Sequence, residues 1–168
     1  GAWVAALRAL RPDLELVNRS GWGWTSRDAV RAFGPRVLAL QPVGVLLEFV
    51  INDADVRRHC TNESSAAHLD TLLRALAGAN PGSRAAVLIP PRPLGRHART
   101  RPQYSAYADM WRQTAAAHRA AVVDLDAAWT AQFAHDPEGE AARRPDGLHF
   151  SAAVAAWIAS VVAAALDR

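Results

Sequence analysis

Val43–Asp55, VGVLLEFVINDAD, is an apolar run that stops in a polar turn, and its reading decides the fold. From Val43 to Ile51 the residues are β-branched or large and apolar, with the one charge of Glu48 among them. That run is far too short to span a membrane and has the composition of a central strand covered on both faces. Asn52 and Asp53 end it. In an open parallel sheet, ligands bind beyond the carboxyl ends of the strands, so this reading puts the Asn52 amide where chemistry would occur. A plain turn-closing role for Asn52 is the competing reading.

Working outward, helices and strands alternate. Ala2 to Leu10 has the Trp3, Leu7, Leu10 spacing of a helix, and Leu14 to Val17 reads as a strand. The loop NRSGWGWTS, Asn18–Ser26, follows, with Thr25 and Asp28 as a helix cap and Gly34-Pro35 as a break. A second short helical stretch reaches Leu40. Beyond the central run, Leu69, Leu72, Leu73 and Leu76 mark one helix face. Ala85 to Pro90 reads as a strand, 103–119 as a helix with Tyr104, Tyr107 and Trp111 on its buried side, and Ala121 to Leu125 as a fourth strand. A short helix around 128–134, a polar loop 135–144 and an Ala-rich helix 152–166 capped by Ser151 complete the chain. The expectation is a single α/β/α domain over residues 1–168 with four parallel strands.

Composition narrows the function classes. With 168 residues, 51% of them hydrophobic and 21% charged, the chain has the balance of a soluble globular protein. The net charge is +3, and all 19 basic residues are Arg; they form no dense run with interleaved aromatics, so nucleic acid is not expected as a partner. The richest basic stretch, Arg92–Arg101, reads as a Pro-flanked surface loop that could touch an anionic substrate. Cys60 is the only cysteine, which excludes an intrachain disulfide and a thiolate metal cluster. None of His59, His68, His97, His118 and His135 falls in a metal-binding spacing, so no metal or organic cofactor is expected. No segment has the length of a membrane span, the first residues lack the pattern of a secretion signal, and the compartment is unread.

Asp146-Gly147-Leu148-His149 sits in the turn before the last helix. A carboxylate three residues ahead of a histidine can bond the imidazole and fix its tautomer, which is how a general base is oriented. The Gly23 loop exposes backbone N–H groups after a strand, and Asn52 offers a side-chain amide; both are donors suited to an oxyanion. Asp53 is expected to tie down its own loop. Glu48, if buried, needs an Arg or a backbone partner.

On these residues the chain resembles the SGNH or GDSL-type ester hydrolases over nearly its whole length. Asn18–Ser26 is similar to that family's second block, with Gly23 as the implied oxyanion-hole donor. Val50-Ile51-Asn52-Asp53 is similar to the third, Gly-x-Asn-Asp, with Val50 in place of the usual Gly and Asn52 as the second donor. Asp146 and His149 meet the fifth, Asp-x-x-His, in full. The resemblance implies a three-layer α/β/α flavodoxin-like fold with a central parallel sheet. It also implies a Ser-His-Asp triad acting on a small acyl ester or acylated carbohydrate, acetyl being the family's habit, without a cofactor. The first block, Gly-Asp-Ser, does not occur in the chain. The expectation is therefore that a strand and its nucleophilic serine precede Gly1. Ser20 or Ser26 as a substitute nucleophile, and a catalytically inactive ester- or glycan-binding module, are the alternatives. Trp22 and Trp24 beside the Gly23 loop could stack on a sugar. The competing class, a phosphate-binding flavodoxin-like module, lacks a glycine-rich phosphate loop after any of these strands.

Overall fold

A computed structural model describes residues 2–166. Three parallel strands form the sheet: β1 (Gly44–Leu47), β2 (Arg84–Ile89) and β3 (Ala121–Asp124), in the order β1-β2-β3. Gly44 lies opposite Arg84 and Ala86 opposite Ala121. Around them run α1 (Ala2–Leu10), α2 (Ser26–Arg36), α3 (Val50–Asp53), α4 (Asn62–Ala79), α5 (Gly95–Arg99), α6 (Tyr104–Ala117), α7 (Leu125–Phe133), α8 (Glu140–Arg143) and α9 (Ala155–Leu166). Short 3-10 turns at Leu38–Leu40, Val56–Arg58 and Ala152–Val154 join them.

The alternation of side chains along β2 divides the core in two. Val87 and Ile89 point into a cluster with Phe33 of α2, Val50 of α3, Leu69, Leu72 and Leu76 of α4, and Trp111 of α6. Ala86 and Leu88 point the other way, into a cluster with Leu7 of α1, Trp129 of α7 and Ile158 and Val162 of α9. Helices thus cover both faces of a parallel sheet, the expected three layers. The buried stripe Leu69, Leu72, Leu73, Leu76 is the apolar face of α4, as its spacing requires.

Several expected elements change. Leu14–Val17 is not a strand; Val17 is half exposed, and the Leu16 carbonyl accepts from Arg8 Nε and Nη2 rather than from a ladder. An extended segment becomes a strand only when a neighbour supplies the ladder, and among the described residues β1 is paired only to β2. The Val43–Ile51 run divides into a four-residue strand and the helical turn of α3. Phe49 O accepts from both Asn52 N and Asp53 N there, and Val50 and Ile51 stay buried inside it. A short apolar run has no period that separates a buried strand from a buried turn of helix. The last strand ends at Asp124, whose carboxylate accepts from Ala127 N and caps α7, so Leu125 is helical.

Gly34-Pro35 does not break α2, which runs on to Arg36 while Ala29 and Phe33 pack into the core. Its expected N-terminus does form, with Asp28 accepting from the Thr25 backbone N–H and hydroxyl. The loop 92–101 contains α5, and the loop 135–144 contains α8. Ser151 makes no capping bond; its Oγ is buried without a partner among the described residues, and the last helix starts instead through a 3-10 turn. Among the described residues no helix is long and apolar enough to cross a membrane.

Candidate active site

The turn Asp146–His149 is built around one carboxylate. Asp146 Oδ1 accepts from the backbone N–H of Leu148 (2.9 Å) and of His149 (2.8 Å), and Oδ2 accepts from His149 Nδ1 at 2.7 Å. Burial works to raise the Asp146 carboxyl. The His149 backbone N–H, the His149 ring and the Leu148 N–H outweigh it and hold the group well below the usual carboxylate range. Asp146 is thus an anion that fixes the His149 tautomer and leaves Nε2 outward, on a side chain 71% exposed. Gly147 makes the turn, at φ +79°. A Cβ there would stand 3.0 Å from the Leu94 carbonyl oxygen. Gly147→Ala is therefore expected to cost about 1 to 2 kcal/mol in a urea unfolding curve. An unchanged midpoint would show that the turn is not held as described.

Asn52 lies in the turn after β1, half buried, and its Nδ2 donates to Trp24 O at 2.8 Å. That bond ties the Asn52 turn to the loop that carries Gly23, which has φ +63° with Arg58 Nη2 lying over it. Asp53, fully buried, holds the same turn from beneath. It accepts from Ser26 N at 2.8 Å and from Ser65 Oγ at 2.6 Å, and Ser65 Oγ in turn accepts from Trp111 Nε1.

Arg101, which the sequence reading left on a surface loop, is buried and joins the two halves of the site. Its Nε donates to Ile51 O at 2.6 Å, its Nη2 pairs with Asp55 Oδ2 at 3.0 Å, and its Nη1 donates to Thr100 Oγ1 and, at 3.4 Å, to His97 O. His97 in turn faces the Asp146–His149 pair, with its Nε2 3.7 Å from Asp146 Oδ2 and its ring centroid 6.4 Å from that of His149. Neither residue carried a spacing signal.

Other candidates fall elsewhere. Ser26 Oγ is wholly buried and 3.0 Å from His68 Nδ1, and Ser20 Oγ donates to Asn18 Oδ1. Among the described residues no serine is bonded to His149. Glu48, just past β1, has a buried Oε1 with no partner among the described residues, and burial together with the nearby Asp53 charge pushes its carboxyl up to about 7. Trp22 is 97% exposed, whereas Trp24 is partly buried with the Arg36 guanidinium 4.8 Å from its ring centroid. No group of three or more His, Cys, Asp or Glu among the described residues could hold a metal ion.

Solved structures share this architecture. An alpha/beta hydrolase enzyme, LAE5, from the metagenome of Lake Arreo is 27% identical, with a TM-score of 0.82 over 98% of this chain and 79% of that one. The lipase/acylhydrolase from Enterococcus faecalis is 23% identical, with a TM-score of 0.77 over 95% and 82% of the two chains. An acetyl xylan esterase from Geobacillus stearothermophilus is 21% identical, with a TM-score of 0.71 over 98% and 77%. No curated protein sequence matches the chain. Residues 1–157 match the model of the GDSL-like lipase/acylhydrolase family, and the chain belongs to that family.

Proposed function

We propose that the protein is a serine esterase that removes a small acyl group, acetyl above all, from an acylated carbohydrate or similar alcohol. The observation that carries the reading is the Asp146–His149 pair: an ionised carboxylate holds Nδ1 at 2.7 Å while Nε2 faces outward. His149 Nε2 takes the proton of a serine hydroxyl as its oxygen attacks the ester carbonyl carbon. The carbonyl oxygen becomes an oxyanion held by Gly23 N–H and by the Asn52 Nδ2 hydrogen not donated to Trp24. When the intermediate collapses, His149 gives its proton to the leaving alkoxide. A water then gives a proton to His149 and attacks the acyl-serine, and His149 returns that proton to the serine oxygen as the acid leaves.

The nucleophile in this reading is a serine outside residues 1–168, since among the described residues His149 is bonded to Asp146 and to no serine, and Ser20 and Ser26 bond Asn18 and His68. Support for an acylated sugar comes from Trp22, an indole fully in solvent one residue from Gly23, and from the similarity to acetyl xylan esterases.

The test is hydrolysis of 4-nitrophenyl acetate by the full-length protein, with intact mass measured before and after a serine-directed phosphonate. Turnover together with one adduct per chain, on a serine outside residues 1–168, supports the reading. Neither turnover nor adduct overturns catalysis in favour of an ester-binding module, and an adduct on Ser20 or Ser26 overturns the placement of the nucleophile.

A further inference from the structure

The Asp146 carboxylate has two imidazoles around it, and only one of them is used by the mechanism above. His97 is fixed from both sides of the site. The Leu94 N–H that begins its turn donates to Gly147 O at 2.8 Å, inside the Asp146–His149 loop. The His97 carbonyl accepts from Thr100 Oγ1 and Arg101 Nη1, and Arg101 is itself bound to Ile51 O and Asp55 beside the Asn52 turn. Its ring stands edge-on to that of His149, at an interplanar angle of 84°, and is only 15% exposed. At 3.7 Å from Asp146 Oδ2, its Nε2 is too far for a hydrogen bond but lies directly beside that oxygen.

We propose that His97 is a positioning residue for His149. Its neutral ring walls in the carboxylate oxygen that His149 uses, and holds the His149 imidazole in its Asp146-bonded orientation. The inference rests on His149 being the base.

The surroundings favour the neutral ring. Burial lowers the His97 value, and the neighbouring Arg101 and Arg96 guanidiniums and His149 add to this, against the opposing pull of Asp146. Arg96 Nε donates to His97 Nε2 at 3.3 Å, which puts the ring proton on Nδ1 and occupies the Nε2 lone pair. In this state His97 does not compete for Asp146. Once His97 is protonated, it must lose the Arg96 bond and gains an N–H beside Oδ2, the same oxygen that accepts from His149 Nδ1. It also sets a cation against the imidazolium that the reaction forms.

The experiment is the pH profile of kcat/KM on 4-nitrophenyl acetate for the full-length protein and for His97→Phe, His97→Gln and His149→Ala. The wild type is expected to lose activity on the acid side more steeply than either His97 variant. Their kcat at the optimum should fall between about 10- and 100-fold, with KM within about twofold. In parallel, nitrogen-edited NMR of the imidazoles reads the His149 Nδ1 proton, whose bond to Asp146 should weaken in both variants. Profiles of unchanged slope together with an unmoved His149 Nδ1 resonance would overturn the role of His97. Full activity in His149→Ala would instead overturn the assignment of the base. A variant that fails to fold leaves the decision to the other, since Phe keeps the ring's volume and Gln its polarity.

Discussion

His149→Ala is expected to lower ester hydrolysis by at least about a thousandfold while leaving the fold in place. The side chain is mostly in solvent and belongs to neither core cluster, so its removal opens no cavity. What disappears is the one group whose geometry suits proton transfer: an imidazole with Nδ1 bound to an ionised carboxylate and Nε2 facing outward. Asp146 would keep the Leu148 N–H and the backbone N–H of residue 149, so the turn survives the substitution. Circular dichroism and a urea midpoint near the wild-type value, combined with initial rates on 4-nitrophenyl acetate, check the result. A loss of less than tenfold would show that the base lies elsewhere. An equal loss of structure would show that the ring is an architectural part.

Glu48→Gln is expected to stabilise the protein above pH 7 and to leave it nearly unchanged at pH 4. The carboxyl rests near 7 in the folded chain, against an ordinary value of 4.5, because burial disfavours its charge and Asp53 adds a like charge nearby. A value raised by folding means that the folded state binds the proton more tightly. That contribution is fully present below 4.5 and is lost as pH rises through about 7. The shift corresponds to about 3 kcal/mol of destabilisation once Glu48 is ionised. Glutamine has the same shape and no charge to bury, so it avoids that cost. Urea unfolding of both proteins at pH 4 and pH 8 measures it. The variant should gain at pH 8 and converge with the wild type at pH 4; an equal difference at both values would show that ionisation of Glu48 is not the cause.

The same residue shows how far the sequence could be read. A charge inside VLLEFVI demanded an Arg or backbone partner if buried, and the fold gives Oε1 none among the described residues. Burial instead pushes its carboxyl up to about 7, which no sequence pattern displays. The four residues Gly23, Asn52, Asp146 and His149 could be proposed from the sequence because each stands in a local signature of a few residues. Asp146 and His149 are joined within one turn, so their bond follows from spacing almost by itself. His97 and Arg101 were not legible. They matter through contacts made 49 and 50 residues away in the chain, at Asp146 and Ile51.

By itself the sequence determined what short-range chemistry determines. It set the apolar face of α4, the Thr25–Asp28 start of α2, the Asp146–His149 turn, and the alternation of strand and helix that makes a layered parallel sheet. Tertiary structure decided whatever depends on a neighbour. Leu14–Val17 has strand composition but no ladder partner, and so stays irregular. Val50 and Ile51 have strand composition too, yet lie in a helical turn whose buried Asp53 carboxylate is anchored by Ser26 N and Ser65 Oγ. Backbone hydrogen bonds within a turn are written in the order of residues, whereas ladder bonds and buried polar contacts need a partner that only the folded chain brings within reach.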